Sequence, residues 1–229
     1  MEPYGASHLV MLGVFVVGLA AAVLVGRHDR RTGSVVVSRS LALLLPAVTV
    51  PLQVYDVVTR FEIGVSLPLH LCDLAWPAAA YALWTRRPWA VGLTYYWGLV
   101  LTTQGIVTPS LGEAFPEVRF FAFWALHLLI VWAAVYLVWG LGLAPRWREY
   151  RLVMAVTLAW AVGAYAFNLV ADTNYGYLVR KPSSGSALDL LGPWPVYVLA
   201  EIAIVAAIWA LMTWPWARTS RRHAPSPRG

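Results

Sequence analysis

Charge is scarce in this chain. Asp, Glu, Lys and Arg make up 12% of its 229 residues, where a soluble domain carries about 25%. Lysine occurs once, at Lys181, in a connection rather than an apolar block, which excludes a retinal Schiff base. Cysteine also occurs once, at Cys72, so no internal disulfide forms. There is no glycine-rich phosphate loop, dinucleotide fingerprint or HExxH signature. No two histidines share a helix face at close spacing, so neither a metal nor any other cofactor is assigned. No internal repeat supports the duplicated architecture of many transporters.

What the chain has in excess is apolar side chains, 60% of the total. They come in seven blocks of about 18–22 residues, a length that fits the hydrocarbon core of a bilayer. The reading is an all-α, polytopic membrane protein, a bundle of seven transmembrane helices near 7–26, 38–57, 66–84, 89–107, 118–139, 150–170 and 193–214. They form one domain, 1–217, with a basic, disordered tail at 218–229. No basic n-region precedes the first block, so it reads as a retained span and not a secretory signal. Pro46, Pro51 and Pro77 fall inside spans and predict kinks. One set of connections, with the tail, holds Arg27, Arg30, Arg31, Arg39, Arg86, Arg87, Arg146, Arg148, Arg151, Arg218, Arg221, Arg222 and Arg228; the other holds only Arg60, Arg119, Arg180 and Lys181. The positive-inside rule then places the N-terminus outside and the C-terminus in the cytoplasm. The net charge of +6 is accounted for by topology; no nucleic acid and no soluble protein partner is predicted.

The segment LPLHLCDLAWP puts His70, Cys72 and Asp73 into an otherwise oily stretch. If Ser66 caps its helix and Pro68 occupies the first turn, Cys72 lies roughly 9 Å below the outer surface. His127 falls roughly 13 Å and Glu201 roughly 12 Å down their own spans. Thr102, Thr103, Gln104, Asn168 and Asp172 reach the same outer level, with Asn174 just beyond; the inner half offers mainly Tyr95 and Tyr96. Ionisable groups at membrane depth are costly and usually face a cavity that has a function. The bland alternative is interhelical glue, with Cys72 as a small core residue. Cys72 and His127 are the one thiol and base that this pocket could assemble for nucleophilic chemistry, if His127 reaches Cys72 across a helix interface. His70, two residues from Cys72, points to nearly the opposite face. Asp172 and Glu201 are candidates to orient a histidine or bind a headgroup, and Thr102, Gln104 and Asn168 to donate to an oxyanion. A short helix is expected at 186–191, capped by Ser186.

LPLHLC, QGIVTP, ALH, TNYGYLVRKP and LGPWPVY together resemble a bacterial family of integral membrane proteins related to the TMEM164 lipid acyltransferases. The resemblance runs from about Leu67 to Glu201. It implies a multi-pass protein of the bacterial cytoplasmic membrane that acts on membrane lipids through a cysteine thioester. The family's essential cysteine matches Cys72 and its essential histidine matches His127. Arg180 and Lys181 would then meet a lipid headgroup at the outer rim. Transfer and hydrolysis both remain open, as does a transporter or small-molecule binding protein built around the same pocket.

Overall fold

The computed structural model describes residues 4–59, 61–109, 114–182 and 187–221. They form seven helices: α1 (Ala6–Thr32), α2 (Val36–Thr59), α3 (Leu71–Thr85), α4 (88–107), α5 (Val118–Gly140), α6 (Trp147–Ala171) and α7 (Val196–Arg221). No strand occurs among the described residues. Two short 3₁₀ turns, Tyr175–Tyr177 and Ala187–Leu191, lie between α6 and α7. The second meets the expected short helix; its proposed cap, Ser186, lies outside the described residues, as do Arg60 and residues 222–229. α7 takes in residues 218–221, which the sequence reading placed in the tail.

Local chemistry sets the helix ends. Arg30 and Arg31 occupy the last turn of α1, where cations favour the exposed carbonyls, and Gly33 closes it in the left-handed region. Arg86 ends α3 at φ 55°, its N–H turned back to the Ala82 carbonyl. Pro88 then opens α4 at a first-turn position, where its missing N–H costs nothing. The α3–α4 hairpin is therefore very tight.

Side-chain contacts fix the order of the bundle. At one end, His8 of α1 meets the Ile106 carbonyl of α4, Arg119 of α5 pairs with Asp56 of α2, and Tyr175, beyond α6, reaches Ile63, ahead of α3. At the other end, Tyr136 of α5 donates to Asp29 of α1 at 2.7 Å, and Ser38 of α2 donates to the Leu83 carbonyl of α3 at 2.5 Å. There too, Trp216 of α7 donates to Tyr95 of α4 at 3.1 Å. Successive helices thus alternate in direction. This second end is more polar than expected: besides Tyr95 and Tyr96, it buries Asp29 and Glu149.

Five helices (α1, α2, α5, α6 and α7) are long and apolar enough to cross a membrane. α3 is the exception that matters most. Its 15 residues span only about 22 Å, against about 30 Å of hydrocarbon. It begins at Leu71, five residues later than the expected Ser66. Ser66 instead accepts the Glu62 N–H on its hydroxyl at 2.9 Å, and Gln53 donates to its carbonyl at 2.6 Å. Gln53 lies six residues inside the end of α2, so residues 61–70 descend into the bundle without helical structure. Such backbone is tolerated at membrane depth only when protein groups satisfy it.

α1 stands at the edge and buries only His8, Gly26 and Asp29. Gly26 crosses Gly140 so closely that a Cβ there would come within 2.6 Å of the Gly140 Cα. Gly18 likewise makes room for the Trp132 indole, whose Nε1 donates to the Phe15 carbonyl at 3.1 Å. Small residues that let backbones approach are how membrane helices pack without help from water.

Candidate active site

Cys72 occupies the first turn of α3, directly after Leu71. His70 precedes the helix in an extended conformation, and its N–H donates to the Asp73 carboxylate at 3.1 Å. Asp73 is thus the capping group, and the pair His70–Asp73 meets through His70's backbone. The sequence placed Cys72 past the first turn; the later start puts it inside that turn, where the helix dipole is felt most.

Three groups hold the backbone ahead of this turn. The Tyr175 hydroxyl donates to the Ile63 carbonyl at 2.7 Å and accepts the Leu67 N–H at 3.2 Å. Its ring also meets the His70 imidazole, centroid to centroid at 4.8 Å. The Trp160 indole of α6 donates to the Leu69 carbonyl at 3.0 Å, and Gln53 holds Ser66. Burial raises the Tyr175 phenol above its ordinary value, which keeps it a neutral donor.

Asn168 positions Tyr175. Its amide donates to the Tyr175 carbonyl at 2.9 Å, and its oxygen accepts from the Thr173 hydroxyl at 2.7 Å and the Tyr175 N–H at 2.8 Å. These bonds occupy the side chain that the sequence offered as an oxyanion donor. Asn174 closes the next turn by bonding the Arg180 backbone. Gly176 is required at φ 67°, with the Trp160 ring against it. The run TNYGY therefore works as a clamp on α3's approach.

His127 lies at mid-helix on α5 and is buried. Its Nδ1 is 2.7 Å from the Phe123 carbonyl. A carbonyl only accepts, so Nδ1 carries the proton and Nε2 presents the lone pair. Nε2 forms no hydrogen bond among the described residues and faces Gly105 of α4, where a Cβ would stand 2.8 Å from it. One residue further, His8 of α1 reaches the Ile106 carbonyl at 2.9 Å. Tyr4's N–H donates to His8 Nδ1 at 2.8 Å, so here Nε2 is the donor. Two buried imidazoles thus grip Gly105 and Ile106 from either side. His8 was missed in the sequence because it sits at the mouth of an uncharged span.

α4 reaches this point through a wide π-helical turn, Trp97–Thr102. Turns of this kind recur at functional sites. Thr102 ends it, buried, with its hydroxyl unpartnered among the described residues. Trp124, one turn before His127, also buries an indole N–H without a partner there.

The remaining expectations sort plainly. α3 packs against α2, α4 and α5, yet no hydrogen bond joins Cys72 to His127 among the described residues. The His127 Nε2 is turned instead to Gly105 of α4. Gln104 is exposed. Asp172 caps α6 in the left-handed region and is 94% exposed, paired at 3.3 Å with Arg180, so it orients no histidine. Lys181 approaches Asp189 at 3.8 Å and lies over the Tyr197 ring. Glu201 is half-buried on α7, which packs along α6.

A sequence model described as the TMEM164 family matches residues 3–213. The chain belongs to the TMEM164 family. That match includes both histidines of the α4 grip, the α3 turn and the TNYGY clamp. No curated protein and no solved structure matches the chain.

Proposed function

We propose that this TMEM164-family protein moves or hydrolyses the acyl group of a membrane lipid through a thioester on Cys72. The observation that carries the reading is His127: its Nδ1 proton is committed to Phe123, and its Nε2 lone pair is left without a hydrogen bond among the described residues, packed against the bare Cα of Gly105. That is the arrangement a general base requires. The thiol proton passes to Nε2 as Sγ bonds the ester carbon. The carbon–oxygen bond then breaks, and Nε2 returns the proton to the leaving lipid alcohol. A second alcohol, or water, takes the acyl group by the reverse sequence. His127 is anchored on a regular part of α5, so the approach that brings Sγ and Nε2 into range falls to the first turn of α3. The N–H groups of Leu71 and Cys72, which have no helical carbonyl to bond, and the Thr102 hydroxyl are the candidate donors to the oxyanion.

The proposed topology has seven crossings with the N-terminus outside, which puts this site in the outer half of a bacterial cytoplasmic membrane. Residues 61–70 complete the α3 crossing. Arg180 and Lys181 lie at the rim, where a headgroup phosphate competes with Asp172 and Asp189 for them. The test is lipid profiling of cells expressing the intact chain or Cys72→Ala. Opposite changes in two lipid species, absent with Cys72→Ala, support acyl chemistry and identify donor and product; identical profiles reject it.

A further inference from the structure

α1 leans on α5 and meets α4 through His8. Between α1 and α4 a groove of about 500 Å³ remains, floored by α5. Stripes at four-residue spacing build it: Leu19 and Val23 from α1, Leu99 and Thr103 from α4, Val131 and Val135 from α5. Residues four apart stack on one helix face. His127 lies four residues before Val131, so the α5 wall continues the face that carries the imidazole. The groove thus begins about one helical turn below the proposed base.

The chemistry of the wall selects its occupant. Thr103 is its only hydroxyl side chain, and that hydroxyl is turned back onto the Gly98 carbonyl at 3.2 Å. Apart from the Thr103 lone pairs and the Trp139 indole N–H at the far end, no side chain on the wall offers a hydrogen bond to an occupant. That disfavours a headgroup, a nucleotide or a polar peptide, since each would bury unsatisfied groups along most of its length. α1 and α5 are long and apolar enough to cross a membrane, so the medium outside the groove is hydrocarbon. Trp139 closes the far end, its ring 5.7 Å from those of both Tyr95 and Trp216. From His127 to Trp139 the helix rises roughly 18 Å.

We infer that this groove holds the acyl chain of the lipid whose ester is presented to His127, and that Trp139 sets the length of chain that fits. This rests on the acyl reading above, and its test separates the two. The intact chain is reconstituted in vesicles containing a trace of phospholipid with a photoreactive group in its acyl chain, and labelled peptides are mapped by mass spectrometry. Labelling around Leu19–Val23 and Val131–Val135 is expected to exceed that on the exposed face at Val14 and Val17 severalfold. Cys72→Ala is expected to keep this enrichment, because holding a chain requires no thiol. Ala20→Trp and, separately, Val135→Phe fill the groove and are expected to bring the ratio to parity, with size-exclusion profiles confirming folded protein. Trp139→Ala is expected to shift competition by unlabelled lipids toward longer chains.

Enrichment that neither filling substitution disturbs, or even labelling in the intact chain, overturns the groove. That outcome holds even if Cys72 forms a thioester. Enrichment that is present in Cys72→Ala and lost in the filled variants establishes the groove, even if lipid profiles show no acyl chemistry. An unchanged length preference in Trp139→Ala overturns the role of the indole.

Discussion

Gly105 and His127 lie face to face across α4 and α5, with no room between the glycine Cα and the imidazole for a methyl group. A side chain at 105 turns the ring or pushes the helices apart. Gly105→Ala is therefore expected to lower acyl-enzyme formation on the order of 100-fold, the loss that a small misplacement of a catalytic group produces. Gly163→Ala, with nothing within 4 Å of its Cβ, is the matched control and should be silent. Equal rates in both would remove Nε2 from the mechanism.

Cys72→Ala is expected to abolish labelling by a lipid-like electrophile while leaving the thermal midpoint close to that of the intact chain. Cys72 is only partly buried, so losing its sulfur opens no large cavity. Undiminished labelling of the alanine variant ends the thioester proposal.

Tyr175→Phe removes a hydroxyl that serves both the Ile63 carbonyl and the Leu67 N–H. Leaving those groups buried without a partner is expected to cost about 1–3 kcal/mol. Residues 61–70 should loosen, and alkylation of Cys72 by a small maleimide should quicken. A change in thermal midpoint with no change in alkylation rate would show that the clamp stabilises the bundle without positioning α3.

Asp29 and Tyr136 join α1 to α5 at the opposite end, through a buried 2.7 Å bond. A double-mutant cycle with Asp29→Asn and Tyr136→Phe is expected to give a coupling of about 1.5–3 kcal/mol, as for hydrogen bonds to a charged group. Additive effects would mean that Gly26 and Gly140 hold this end without them.

Orientation is checked by accessibility. In a Cys72→Ala background, Thr108→Cys is expected to react with an impermeant maleimide in intact spheroplasts, and Ser34→Cys only after lysis. The reverse pattern would invert the bundle and move the site to the inner leaflet.

The helices were legible in the sequence because each apolar run approximates a bilayer's thickness, and their bounds moved by only a few residues at most ends. α3 resisted for a physical reason. Ser66 and Pro68 carry the local signature of a helix start, and Leu67 and Leu69 continue the apolar pattern. The actual start depends on Asp73 reaching back to His70, and on Gln53, Trp160 and Tyr175 capturing the backbone in between. Partners this distant in sequence leave no periodic trace. Asn168 was legible as a polar group at depth, while its job as a loop staple was not, since all its partners follow a left-handed turn at Asp172. Gly105 carries no periodic signal of its own; what requires it is the His127 ring from another helix.

Of the groups on other helices and loops that capture residues 61–70, only Gln53 has been synthesised when α3 leaves the ribosome. The carbonyls of Ile63 and Leu69 must then be sheltered by the insertion machinery, or by water drawn into it, until residues 160–175 emerge. The thiol's surroundings are consequently among the last parts of the molecule to be finished, although Cys72 itself lies in the first third of the chain. A polypeptide released before Tyr175 would insert its early helices and still lack a completed setting for its cysteine.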